Sequence, residues 1–348
     1  MQILLYSKPL KSQGFSCIMQ ILPPGGKDLI EMELVFGKIL SIFLIIGVGF
    51  VANKADVMPI SSNKYMVRLL LRVTCPCMIM ASITSNELRD DTLSLSLQTL
   101  AGALLFFALA AVLGYVLSSK IIRVEPRENI GVYTYAFGSI NSGFIGFPIT
   151  LAIFGSGILY LMVIHNVVLN LYLYTFGIVL LNLGASGGKL DFKGFIKSFT
   201  NINAVSAAVS IVMLFAGLKL PTVIFDCVDM IGGATTPLSM LIVGMQLGQC
   251  DFKSVIKNRK LIVISILKML LLPVLTFLMV NWLPFDPSVK ICLIFAASFP
   301  VAVATVAVTS EQNRDSLVNA EMVAITTLIS LAVIPAAATL LIGYYGLS

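Results

Sequence analysis

The sequence predicts an all-α polytopic membrane protein with ten transmembrane helices in two inverted five-helix repeats. Three observations predict it. Of 348 residues, 58% are hydrophobic and 11% charged, with a mean hydropathy of +0.97, whereas a soluble domain is about 45–50% apolar and about 25% charged. The apolar residues fall into runs of about 17–25, the length that crosses a bilayer core, not the roughly ten-residue alternating segments of a membrane β-barrel. Lys and Arg gather in every second connector, the mark of loops on the cytoplasmic side.

In chain order, residues 1–31 come first and do not share this pattern. Pro23-Pro24-Gly25-Gly26 argues against a continuous helix, and Ile3-Leu4-Leu5-Tyr6 is too short for a signal-peptide core. This leader is expected to be disordered, or to be an artefact of an upstream start codon ahead of Met32. The spans then read 34–52, 65–83, 95–118, 130–154, 158–183, 202–218, 230–247, 261–282, 289–309 and 317–344. The connectors are short, and even 184–199 holds no soluble domain. Those after the odd-numbered spans carry Lys54, Lys120, Arg123, Lys189, Lys193, Lys253, Lys260 and Arg314; those after the even-numbered spans carry Arg89, Lys219 and Lys290. The odd set is therefore expected in the cytoplasm, with both termini outside and 184–199 a cytoplasmic loop.

An odd number of spans per half makes 32–183 and 200–348 inverted repeats if the halves are related. Pro76 and Pro237 recur in the second and seventh spans, and Pro148 and Pro300 in the fourth and ninth. The stretch Asn141-Ser-Gly-Phe-Ile-Gly-Phe-Pro148 is the centre of this pattern. Proline lacks an N–H and clashes with the carbonyl four residues earlier, and Gly143 and Gly146 loosen the same backbone. Broken helices in matching places of inverted halves point to a transport site near the midplane. Each proline is expected to start a second half-helix, whose free N–H groups and positive dipole end favour a carboxylate.

Around that centre Asn141 offers an amide, and Ser142, Ser298 and Thr305 offer hydroxyls. Lys268, five residues before Pro273 within its span, is the candidate counter-charge or gate partner. His165, the single histidine, is a candidate for coupling or gating, weighed against a purely structural hydrogen-bonding role. Arg68 and Arg72 read as interfacial anchors. There is no phosphate-binding loop or H-E-x-x-H, and no ligand cluster with metal spacing. No cofactor, metal or nucleic-acid partner is expected, and a membrane enzyme would lack the convergent catalytic groups it needs.

The stretch Asn141–Pro148 resembles the fourth-span motif of the auxin efflux carrier family, and Ser298-Phe-Pro300 through Glu311, with 317–341, resembles its last two helices. The resemblance runs from Met32 to the C-terminus. It implies ten spans, with the fourth and ninth crossing at the midplane. It also implies transport of small organic anions, such as indole acetate in plants and malate or malonate in bacterial relatives. It further implies that spans three to five and eight to ten hold the site, while one, two, six and seven form a scaffold and a homodimer contact. The chain departs from the plant carriers in its short 184–199 loop, and in Val301-Ala-Val-Ala304 where they place an amide. The expectation is a secondary transporter of the cytoplasmic (inner) membrane, driven by a proton or sodium gradient, that moves a small carboxylate. A membrane sensor or a channel is the alternative.

Overall fold

The computed structural model describes residues 24–57, 59–86, 90–183, 202–249 and 258–346. Among these the secondary structure is helical, with no strand. Helix α1 (Pro24–Lys54) begins inside the stretch expected to be disordered. Pro24 opens the helix, where its missing N–H would have no intrahelical partner in any case, so Pro24-Gly25-Gly26 forms the start of the helix. Helix α2 (Ile60–Leu69) continues through a π-helical turn, Leu70–Thr74, into α3 (Cys75–Thr84). Next come α4 (Thr92–Val116) and α5 (Asn129–Gly138). A second π-helical turn, Leu117–Ile121, ends α4; a third, Ser142–Gly146, leads into α6 (Phe147–Leu171), and a fourth, Tyr172–Phe176, into α7 (Gly177–Leu181). The rest is α8 (Ile202–Phe215), α9 (Thr222–Gly233), α10 (Thr235–Gln249), α11 (Arg259–Asn281), α12 (Pro287–Ala297), α13 (Ala304–Glu311) and α14 (Ser316–Tyr345).

Six helical stretches among the described residues are long and apolar enough to cross a bilayer, and Leu40–Lys54, Ile202–Phe215 and Pro287–Ala297 are shorter apolar helices. One of the six, Asn129–Leu181, doubles back at Gly155, which has φ 78° and ψ −172°. The proof is the Ser142 Oγ–Asn166 Oδ1 hydrogen bond of 2.6 Å. In a straight helix, residues so separated would lie about 36 Å apart at 1.5 Å per residue. Positive φ suits glycine, which has no Cβ to clash.

The helices sort into two bundles. In the first, α1 packs along α10, and α3 is flanked by α8 and α9. The second holds α4 against α5 and α6, with α11 against α12 and α14. Glycine brings α1 and α10 together: a Cβ on Gly49 would lie 2.3 Å from the Leu241 carbonyl oxygen, and one on Gly244 would lie 2.0 Å from that of Ile46. Such close backbone approach is how helices pack when lipid supplies no hydrophobic drive. The outside of the molecule is apolar, with Leu44, Val112, Val212 and Leu340 more than half exposed, while Asn319, His165 and Lys268 are buried. That is the arrangement expected of a protein solvated by acyl chains.

The connectors also sort by end. At one end Lys260 Nζ donates to the Arg123 carbonyl at 2.7 Å, Arg314 donates to Asn182 Oδ1 at 3.2 Å, and Asn129 Nδ2 donates to Asp315 Oδ2 at 3.4 Å. At the other end the Asp286 N–H donates to Gln98 Oε1 at 2.8 Å, and Ser156 Oγ donates to Asn86 Oδ1 at 3.2 Å. The connectors that hold Arg123, Lys260 and Arg314 thus share one end. Lys189, Lys193 and Lys253, with the rest of 184–199, lie outside the described residues, as do residues 1–23 and the last two residues.

Candidate functional site

Two helices break inside the second bundle. Helix α5 stops at Gly138, Ser139 turns extended (φ −80°, ψ 146°), and helix resumes at Ser142. Helix α12 stops at Ala297, and α13 begins at Ala304. The two gaps touch, for the Asn141 N–H donates to the Pro300 carbonyl at 2.8 Å. Beside that bond, a Cβ on Gly146 would lie 2.6 Å from the Phe299 ring, so Gly146 lets the two broken stretches pack together. Phe299 in turn stacks edge-on with Phe295, and Phe295 with Phe154, at centroid distances of 5.0 and 4.9 Å.

A broken helix leaves carbonyls without donors at its C-terminal end. Lys268 supplies the donor for α5. It reaches across from α11, fully buried, and Nζ donates to the carbonyls of Phe137 and Ser139, both at 2.9 Å. A basic group at a helix C-terminus also suits the helix dipole. Lys268 is therefore a cap on the break; it is not among the residues lining the cavity described below, where the sequence reading had it facing substrate.

The prolines act differently from the expectation that each starts a half-helix. Helix resumes six residues before Pro148, which sits in the first turn of α6, and Pro300 lies within the second gap, ahead of α13. Pro148 cannot donate to the Phe144 carbonyl, and the preceding turn widens to the π form, closed by the Gly146 N–H on the Asn141 carbonyl at 3.0 Å. Asn141 Oδ1 accepts from the Phe144 N–H at 3.3 Å and so caps this turn. Pro76 stands in the same relation to Arg72, four residues earlier, and the turn Leu70–Thr74 is again π-helical.

Both widened turns face one cavity of about 630 Å³, within the range of small-molecule sites. Asn141, Ser142, Gly143 and Phe144 line one wall, with Ala302, Val303 and Ala304 of the second gap beside them. Asn166 and Asn170 of α6 add two amides, and the first bundle contributes Leu71, Arg72 and Asn203 to the lining. Helix α8 fixes the direction in which the cavity leads. It begins at Asn203's end beside Arg72, and its far end, Leu214, lines a separate small pocket with Asn86 and Asp91. The cavity therefore extends from the crossing towards the end where the connectors of Arg123, Lys260 and Arg314 meet.

A family model described as membrane transport protein matches residues 34–337. The chain belongs to this family, that of the auxin efflux carriers. A relative, the uncharacterized transporter MJ1031 of Methanocaldococcus jannaschii, is 23% identical over 313 residues, which is 88% of this chain and 97% of the relative. The match embraces both bundles and both breaks.

In this membrane transport protein the expected site residues divide. Asn141, Ser142 and Gly143 line the cavity. Gly146 and Pro148 shape the turn behind them. Ser298 and Thr305 are buried and engaged by the backbone: Ser298 Oγ donates to the Ile294 carbonyl at 3.3 Å, and Thr305 Oγ1 to that of Ala302 at 2.7 Å. The N–H after Pro300 is not free for a ligand either, since Val301 donates it to Thr326 Oγ1 at 3.0 Å. His165 is buried between Phe106 and Phe107, at centroid distances of 5.4 and 5.2 Å. Both of its ring nitrogens lack a partner among the described residues, and it does not line the cavity. Arg72, Asn166, Asn170 and Asn203 are the additions. Asn166 and Asn170 carried a readable signal, since residues four apart share one helix face.

Proposed function

We propose that the chain is a secondary transporter that carries a small organic carboxylate by alternating access. The observation that carries this reading is the cavity at the crossing. Two interrupted helices meet there under a ring of amides, beside first-turn N–H groups that the helix itself leaves unpaired. Such a wall suits a carboxylate, because an N-terminal helix turn presents donors and a partial positive charge.

The architecture behind this reading is ten spans in two inverted repeats, 32–183 and 200–348. Counting the reversal at Gly155 as a boundary, and the shorter apolar helices as spans, supports that number. The second bundle would carry the substrate against the first, with the basic end in the cytoplasm and both termini outside. The cavity leads towards that end, so the arrangement would be the inward-facing one.

The test is binding followed by flux. Purified protein is screened by thermal shift against short mono- and dicarboxylates, malate and malonate included, since a ligand that binds the folded state raises its stability. Active compounds are then assayed for counterflow in proteoliposomes. Asn141→Ala should weaken binding about ten- to a hundredfold, as expected for losing a hydrogen bond to a charged group at about 1.5–3 kcal/mol. Binding without flux would favour a sensor, and cations as the only ligands would sink the carboxylate reading.

A further inference from the structure

We propose that Arg72 is the charge that makes this cavity selective for anions, holding the substrate from the first bundle's part of the lining. The inference rests on the carboxylate reading and assigns it a residue that sequence alone placed at the membrane interface.

Three observations converge on Arg72. The cavity lining contains five neutral polar side chains, Asn141, Ser142, Asn166, Asn170 and Asn203, and no acid; Arg72 is its one ionisable residue among those described. Without Arg72 the cavity would favour neutral polar solutes as well as anions, because amides both donate and accept. Second, no hydrogen-bond or ion-pair partner occupies Arg72 among the described residues. The other cation near the crossing, Lys268, is committed to the Phe137 and Ser139 carbonyls. A guanidinium presents a planar fork of donors that matches a carboxylate in two-point geometry.

Third, the backbone around Arg72 is built like the backbone around Ser142. Pro76 can give no N–H to the Arg72 carbonyl, and the turn Leu70–Thr74 opens to the π form, with the Cys75 N–H donating to the Leu70 carbonyl. Local π-helical turns of this kind occur often at functional sites. The extra residue turns the segment out of the plain α register and sets Leu71 and Arg72 in the cavity wall, as Pro148 does for Ser142–Phe144. One carboxylate held by Arg72 and by the turn at Ser142 would bridge the two bundles, and its charge would neutralise Arg72 as they close.

The experiment measures binding of malonate and of its neutral diamide, malonamide, to the purified full chain and to Arg72→Gln, Arg72→Lys and Asn141→Ala, at low and high salt. The unliganded melting temperature of each variant reports whether it folds. Malonate affinity should fall ten- to a hundredfold in Arg72→Gln and partly recover in Arg72→Lys. Malonamide affinity should stay within about twofold, so the preference for the anion collapses. Salt should weaken malonate binding to the wild type more than to Arg72→Gln. If Arg72→Gln binds malonate like the wild type while Asn141→Ala does not, Arg72 is not the selecting charge and the crossing site stands. An equal loss for malonate and malonamide would also overturn the proposal, because it would mark a structural role. If Arg72→Gln does not fold, Arg72→Lys decides: a weakened but retained, salt-sensitive preference for malonate supports the charge, because lysine keeps the charge without the planar fork, and an unchanged or a lost preference refutes it. If the wild type binds no member of the carboxylate panel, the proposed function falls and this inference with it.

Discussion

Replacing Lys268 with methionine separates two roles that one residue could play. Methionine keeps the length and apolar character of the side chain and removes the donor. Two buried carbonyls, of Phe137 and Ser139, would lose bonds of 2.9 Å. A buried acceptor left unpaired costs about 1–3 kcal/mol, so the pair costs about 2–6 kcal/mol. Some of this is offset, because an amine no longer has to be held in an apolar interior. A destabilisation of about 2–4 kcal/mol remains, and at about 2–4 °C per kcal/mol for mid-sized chains it lowers the melting point by several degrees. The assay is thermal unfolding of purified protein, with carboxylate affinity measured on the fraction that stays folded. We expect a clear loss of stability in Lys268→Met and, at temperatures where it is folded, carboxylate affinity within about threefold of the wild type. A melting point unchanged from the wild type, together with a loss of carboxylate binding, would refute the capping role and restore Lys268 as a substrate counter-ion.

Two further substitutions test the crossing. Gly146→Ala sets a Cβ 2.6 Å from the Phe299 ring, so it should reduce counterflow at least tenfold, and pairing it with Phe299→Leu should restore part of the rate. Failure of that pair to exceed Gly146→Ala alone would show that the ring is not what the glycine accommodates. Pro148→Ala returns an N–H to the Phe144 carbonyl and should let the π turn tighten. Expression and melting point should hold while transport falls, and normal transport would show that the widened turn is dispensable.

Much of this architecture was legible as composition and period. Long apolar runs and short connectors are gross features, and Gly155 could be read as a boundary because the runs on either side of it are each long enough to span. The centre was legible in Asn141-Ser-Gly, since amide, hydroxyl and glycine in an apolar segment have few uses besides lining a polar site. The position of the break was not legible. Proline marks where a donor is missing, but the chain answered Pro148 and Pro76 with wider turns and broke at Ser139, where Lys268 from a remote helix satisfies the freed carbonyls. That choice depends on tertiary packing. For the same reason the positions of Lys268 and Arg72 were not legible: both are cations in apolar helices, and nothing local says which contacts backbone carbonyls and which lines a cavity. The division into bundles was expected from the family resemblance alone. One contact that holds the first bundle together, the close approach of α1 and α10 at Gly49 and Gly244, lies in pairs far apart in sequence.

The most direct test of the central claim, that a carboxylate occupies the cavity at the crossing, is protection of a single cysteine at position 143. A Cβ on Gly143 meets nothing within 4 Å, so Gly143→Cys, in a chain whose six native cysteines are replaced, should leave the site open. A small charged thiol reagent should label it in detergent-purified protein, and a carboxylate that shifts the melting point should slow that labelling at least fivefold at saturation. Labelling as fast with saturating carboxylate as without it would contradict the account, because the ligand would then bind elsewhere.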